Sequence, residues 1–214
     1  MKKTTKILSV VMAMVLCVAI GVGATLAWLT ATTDTVTNTF TEATLVEKKD
    51  DFVLREHHAD PNENGNGYHL TDQEVTENSY VVVPGVNLNK DPFVRVKPQE
   101  NAWLFITVDK NLQTGMDFEM DPQWLPLMDA EHHQVKTQAG NPVYVLNKML
   151  PKGVQENALN IIKDKTVTVQ NNFTYQKGVD CNIIFNAYLS QANNVKPLQA
   201  WNDSFAAIAD KPVA

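Results

Sequence analysis

The feature that most constrains the fold of this chain is a series of short segments rich in β-branched and aromatic residues. Each segment is bounded by Pro, Gly, Asn or Asp, which favour turns, so each is predicted to be a strand. One of them, K-T-V-T-V, alternates polar and apolar side chains, as a strand with one solvated face does. The predicted strands are residues 79–83, 93–96, 103–108, 142–146, 165–169 and 179–189.

The sequence predicts that these strands belong to one domain. No repeat period and no shift of composition divides the chain, and many short strands separated by turns predict one antiparallel sandwich. Residues 59–67, A-D-P-N-E-N-G-N-G, are predicted to form a loop. After Pro197, Trp201, Phe205 and Ile208 recur at helical spacing, which predicts a short amphipathic helix that closes the domain.

The N-terminus has the pattern of a secretory signal. Lysines precede an apolar run at residues 7–29, and the first acidic residue is Asp34. Thr25 and Ala27 occupy the −3 and −1 positions of a cleavage site, and no basic stop-transfer cluster follows. We therefore expect cleavage between Ala27 and Trp28. The alternative is a retained membrane anchor, because the run is long enough to span a bilayer.

Cleavage would divide the chain into a signal peptide, residues 1–27, and a single exported domain, residues 28–214. Loss of three lysines changes the formal charge from −6 to −9, and so acidic a chain lacks the clustered cations that bind nucleic acid. Cys17 belongs to the signal, so the mature domain would retain Cys181 alone and have no internal disulfide. Cys181 lies in an apolar run, and we expect a buried, unreactive thiol.

Three segments, in order along the chain, share a pattern with one known family. They are A-T-L-A-W-L at 24–29 with D-T-V-T-N-T-F-T-E-A-T-L at 34–45; V-P-G-V at 83–86 with K-D-P-F-V-R-V at 90–96; and N-A-Y-L-S-Q-A at 186–192 with Ala200-Trp201 downstream. Together they resemble the TasA/camelysin family of exported Gram-positive proteins. Ala43 departs from the pattern, because the family usually has glycine there.

The resemblance implies an all-β, jelly-roll-like β-sandwich with short helical insertions. It implies export through a signal peptidase of the SipW type, and a role at the cell surface or in a biofilm matrix. It also implies a homo-oligomer or fibre, with other matrix proteins as further partners, in which the N-terminal strand of one subunit, residues 28–41, joins the next. The expected assembly residues are Thr33, Thr35, Val36, Thr37, Asn38 and Phe40. The alternative is that this segment is the first strand of its own sheet or a frayed terminus.

The camelysin side of the resemblance implies a metalloprotease, so we searched the sequence for metal ligands. The candidates are His57, His58, His132 and His133, in two E-H-H triplets. Neighbouring side chains on a strand point to opposite faces, and the H-E-x-x-H motif is absent, so we predict no metal, cofactor or catalytic residue. The alternative is a metal site in which one histidine from each triplet meets the other in space.

A second metal motif is incomplete. Residues 60–65 match the opening of an EF-hand loop, but Thr71 stands where the bidentate glutamate is required. We therefore predict a turn-rich surface loop, with weak calcium binding as the alternative.

Three functions follow from these observations. The first is an exported structural protein, not an enzyme, that contacts the membrane only through an uncleaved signal segment. The alternatives are a camelysin-like extracellular metal-dependent protease and a non-polymerising surface adhesin.

Overall fold

The computed structural model describes residues 45–64 and 67–208, together with the backbone of residues 30–33. These described residues form twelve strands, one α-helix and two 3-10 turns, at Lys49–Asp51 and Lys163–Lys165. The strands are β1 (Thr30–Thr33), β2 (Phe52–Pro61), β3 (Tyr68–Val75), β4 (Leu88–Asn89), β5 (Phe93–Val96), β6 (Ala102–Asn111), β7 (Met116–Asp117), β8 (Trp124–Pro126), β9 (Val143–Leu146), β10 (Glu156–Asn160), β11 (Thr166–Val169) and β12 (Asn182–Gln191), and the helix is α1 (Pro197–Phe205).

The strands form three antiparallel sheets. Their orders are β1-β12-β6-β9-β8, β10-β5-β2-β3 and β4-β11-β7. The longest ladder pairs β12 with β6 from Asn182↔Asn111 to Gln191↔Ala102. The predicted all-β sandwich with a short C-terminal helix is thus confirmed.

The middle strands of the five-stranded sheet, β12, β6 and β9, are packed on both faces. On β6, Leu104, Ile106 and Val108 belong to the main core between the sheets. Phe105, between them in sequence, belongs to a second core that packs against α1. Because alternate residues of a strand point to opposite faces, a strand covered on both sides must be apolar throughout, which explains the unbroken run at 103–106.

Helix α1 covers the outer face of this sheet. Pro197 is at its first turn, where a missing N–H costs no hydrogen bond, and Trp201 and Phe205 are buried. The Trp201 and Phe205 rings lie 5.4 Å and 6.2 Å from the Phe105 ring, both edge-on. The predicted helix is confirmed over these residues; Ile208 follows its end, yet packs partly against the same aromatic core.

Five of the six predicted strands overlap an observed strand, and the prediction of a strand at 79–83 is wrong. Residues 79–83 are assigned neither helix nor strand. The Val81 N–H donates to the Tyr68 hydroxyl at 2.5 Å, a side-chain acceptor and not the carbonyl of a ladder. The sequence of this segment favours a strand, but no described strand pairs with it.

The predicted loop at 59–67 is shorter in the structure. Strand β2 continues to Pro61, the Asn62 N–H donates to the Gly67 carbonyl at 3.0 Å, and β3 begins at Tyr68. The two strands therefore form a hairpin. Strands β2, β3, β4, β7, β8 and β10 were not predicted. All but β2 are edge strands of their sheets, and edges carry the polar residues that weaken the strand pattern. The interior strand β2 was missed because its polar residues 55–61 include part of the predicted loop.

Candidate functional site

Strand β1 forms one edge of the five-stranded sheet. It pairs antiparallel with β12, in the register Thr30↔Ser190, Ala31↔Leu189, Thr32↔Tyr188 and Thr33↔Ala187. Within the described residues, β12 is the one strand that β1 pairs with. The first described segment of the chain is therefore held at the sheet by this ladder.

The strand that receives β1 is firmly anchored. On its other side β12 pairs along its whole length with β6. Ala187 and Leu189 are fully buried in the main core, and Tyr188 packs against Trp201 and Phe205 of α1 at 5.6 Å and 5.3 Å. Because both faces of β12 are packed, it presents a rigid template for an added strand.

The predicted assembly residues fall mostly outside the described part of the chain. Thr33 is the last residue of β1. The other five, Thr35, Val36, Thr37, Asn38 and Phe40, lie outside the described residues, as do Ala27, Trp28 and the whole predicted signal peptide. Their roles remain predictions.

The first two candidate metal ligands lie on β2 and contact different partners. His57 Nδ1 is 2.7 Å from Asp91 Oδ2. His58 Nε2 is 2.9 Å from Asp60 Oδ1, and its Nδ1 is 3.2 Å from Asn78 Oδ1. The two side chains thus enter separate polar clusters.

The second pair lies in a surface turn after β8. His132 has a positive φ of 63°, and His133 has its Nδ1 3.7 Å from Asp129 Oδ2 with 79% of its side chain exposed. In the described parts of the chain, no three His, Cys, Asp or Glu side chains are grouped so as to hold a metal ion. The EF-hand-like segment is the β2–β3 hairpin, in which Asn62 Oδ1 is 3.2 Å from His69 Nδ1 and Thr71 belongs to β3.

A charged cluster surrounds the buried Asp91, which is 1% exposed, whereas the His57 and Lys165 side chains are 30% and 45% exposed. The Asp91 carboxylate accepts the His57 backbone N–H at 3.0 Å and lies 3.3 Å from Lys165 Nζ. Next to it, Lys90 Nζ donates to Glu56 Oε2 at 2.6 Å, and Glu56 is 5% exposed. These pairs fasten β2 to the K-D-P segment and to the start of β11.

Tyr80 lies beside this cluster. Its hydroxyl donates to the Asn89 carbonyl at 2.9 Å, and Lys90 Nζ lies 5.7 Å from its ring centroid. Burial raises the pKa of Tyr80 well above its usual range, and the nearby carboxylates of Glu56 and Asp91 raise it further. Sequence reasoning noticed K-D-P as a family pattern but missed that its two charges meet the E-H dipeptide of β2.

A groove of about 380 Å³ opens beside Tyr80, and its lining includes Met116, Tyr175 and Cys181. Cys181 is half-buried, with its Sγ 3.7 Å from Met116 Sδ. We expected a fully buried thiol, but Cys181 is only partly buried. It precedes β12 and lies at the wall of the groove, outside the packed β12–β6 ladder.

Among the described residues, no helix has the length and apolar character needed to span a membrane. Comparisons of the chain with protein-family models, with curated proteins and with solved structures find no match.

Proposed function

We propose that this chain is an exported structural protein of the cell surface or biofilm matrix, and that its copies join by exchanging the N-terminal strand. The observation that carries the proposal is the edge position of β1. This strand is held to the sheet by its ladder with β12. The resemblance of residues 24–45 to an exported, fibre-forming family supports the same role.

The geometry of the ladder suits exchange between copies. A β1 strand from a second copy would form the same backbone hydrogen bonds with β12, so exchange needs no new recognition surface. Eleven residues separate Thr33 from Leu45, and an extended chain of that length reaches about 40 Å. That reach is enough for a strand to leave its own sheet and pair with a neighbour.

Exchange of one terminal strand in a single direction produces a head-to-tail contact. A contact between two different surfaces closes into a ring only at particular rotation angles and otherwise extends into a filament. Copies that donate β1 and receive β1 at β12 would therefore form fibres. The net negative charge keeps the unassembled copies apart in solution.

The test compares mature protein beginning at Trp28 with a variant that lacks residues 28–40. Electron microscopy should show fibres for the first and none for the second, while near-UV circular dichroism confirms that the variant retains the packed surroundings of Trp201. A synthetic peptide of residues 28–41 should bind the shortened variant without restoring fibres. Undiminished fibres after the deletion would refute strand exchange.

Two further measurements separate the alternatives. Cleavage of casein by the mature protein that a chelator abolishes would replace this proposal with the metal-dependent protease. A mature protein that stays monomeric at all concentrations in size-exclusion chromatography, with no fibres in the microscope, would replace it with the non-polymerising surface adhesin.

A further inference from the structure

Residues 79–83, S-Y-V-V-V, lie between β3 and β4, and we call them the valine edge. Exposure alternates along it: Ser79, Val81 and Val83 are exposed, whereas Tyr80 and Val82 are half-buried and pack against the main core. Val81 has 74% of its surface exposed and Val83 has 38%. This period of two is that of a strand with one solvated face, although no strand pairs with it in the described residues.

The backbone of the valine edge is only partly hydrogen-bonded. The Val81 N–H donates to the Tyr68 hydroxyl, and the Val83 carbonyl accepts the Val86 N–H at 3.0 Å. Among the described residues, the N–H and carbonyl groups of Tyr80 and Val82 make no hydrogen bond. Because successive residues of an extended chain direct these groups to alternate sides, Tyr80 and Val82 form one open edge.

We propose that the valine edge pairs antiparallel with the valine edge of a second copy, about a two-fold axis at Val81. In this register Tyr80 faces Val82 of the other copy, and each such pair exchanges two N–H···O bonds, giving four in all. Val81 then faces Val81 as a non-hydrogen-bonded pair, with Cα atoms about 4.5 Å apart. The open groups are thus satisfied by the same groups of an identical chain.

Charge favours a second copy as the occupant. None of the five residues is charged, so self-pairing sets no like charges opposite each other, whereas the chain as a whole carries a formal charge of −6. The segment also lacks the lysines and internal prolines that keep natural sheet edges apart. A neutral, self-complementary strip on an acidic chain therefore directs contact between copies to this place.

The size of the contact determines its strength. Stable interfaces bury about 1,000 Å² or more, and one pair of five-residue strands buries less. The valine edge therefore supports a weak, reversible dimer. It involves no residue of β1, so it stands independently of the proposed strand exchange.

Disulfide trapping tests the register in the full chain, with Cys17→Ser and Cys181→Ser removing the native thiols. Val81→Cys should form a covalent dimer under mild oxidation, because the two-fold axis brings the new thiols together. Val83→Cys should not form one, because it faces Ser79 of the other copy. A mixture of Val83→Cys with Ser79→Cys should give the heterodimer.

The background control is Val154→Cys, at another exposed valine, 46% exposed and in a segment assigned no strand. Trapping of Val81→Cys no faster than Val154→Cys, or efficient trapping of Val83→Cys alone, overturns the proposal. Val81 and Val154 are both exposed, so neither substitution disturbs the core.

Sedimentation equilibrium provides a second measurement without oxidation. Val81→Lys should weaken dimerisation by about tenfold, since it replaces an apolar pair with two facing cations, whereas Val154→Lys should leave it unchanged. If association weakens with Val81→Lys only while residues 28–40 are present, the N-terminal segment is the occupant and the proposal fails. The variant that lacks residues 28–40 separates the two proposals. If both hold, it loses the fibres, which need strand exchange, and keeps the dimer, which needs the valine edge.

Discussion

Replacement of Gly85 by alanine should destabilise the protein through one turn. The Val86 N–H donates to the Val83 carbonyl at 3.0 Å, which places Pro84 and Gly85 at the two central positions of a β-turn. Gly85 has a φ of +78°, as the third residue of a type II turn requires. Its N–H also donates to the Gln170 carbonyl at 3.1 Å, so the turn packs against the chain after β11.

Two terms set the size of the effect. A side chain in the left-handed region costs about 1–2 kcal/mol. A Cβ at Gly85 would lie 2.3 Å from Asn171 Oδ1, so the exposed Asn171 amide must rotate away, at about 0.5–1.5 kcal/mol if it leaves its rotamer well. The sum is roughly 1.5–3.5 kcal/mol in the free energy of unfolding.

The assay is urea unfolding of Gly85→Ala, with Gly153→Ala as the matched control. Gly153 has a φ of +72°, but no atom lies within 4 Å of the Cβ that alanine would add. It should therefore lose only the backbone term of about 1–2 kcal/mol. In an Asn171→Ala background, the cost of Gly85→Ala should fall to that of Gly153→Ala. If Gly85→Ala and Gly153→Ala lower the free energy of unfolding equally in the native background, the steric part of this reasoning is refuted.

Three further changes test the packing and charges of the fold. Asp91→Ala should cost about 1–3 kcal/mol in urea unfolding, because it removes the buried acceptor of the His57 backbone N–H and side chain. Asp117→Ala, at an exposed pair, should cost less than about 1 kcal/mol, and similar costs for the two would show that the Asp91 cluster is effectively solvated. Because burial and Glu56 raise the pKa of Tyr80 in the folded state, its protonated form stabilises the fold fully below about pH 10, and that contribution is lost as the pH rises further. Tyr80→Phe should reduce stability by about 1 kcal/mol at neutral pH and flatten the decline between pH 9 and pH 11 in unfolding curves; an unchanged decline would assign it to other groups. Trp201→Ala should cost about 3–5 kcal/mol by emptying the aromatic core, and a loss below about 1 kcal/mol would mean that α1 contributes little to the fold.

The sequence predicted best where local pattern and burial agree. The apolar run at 103–108 and the alternating K-T-V-T-V segment became β6 and β11, with the expected buried and solvated faces. Pro197, Trp201 and Phe205 predicted α1 because helical spacing alone places the two aromatic rings on one face. In each case the pattern of a few neighbouring residues already determined which side chains would be buried, and the element packed against them covered that face.

The sequence predicted worst at edges. Strand β3 is mostly polar and half of its residues are exposed, so its pairing with β2 leaves little trace in its residue types. The valine edge shows the opposite error: its residues favour a strand, yet a strand also needs a hydrogen-bonded partner, and no described strand pairs with it. Pairing is a property of two segments, and neither one encodes it alone.

The charged cluster has the same origin. Glu56 lies 34 residues before its partner Lys90, and Asp91 lies 74 residues before Lys165. The sequence marks all of these only as surface-type residues. Their burial follows from the packing of β2 against the K-D-P segment, which brings each charge within reach of its partner.

The residue order alone therefore predicts the class of the protein: short β-segments, turns at Pro and Gly, and one amphipathic helix, all set by interactions within a few residues. Which strands are neighbours, which charges are buried, and which edge stays open depend on contacts between residues far apart in the chain. The pairing of β1 with β12, more than 150 residues away, is of this second kind, because backbone hydrogen bonds give a ladder its stability without marking either strand in sequence.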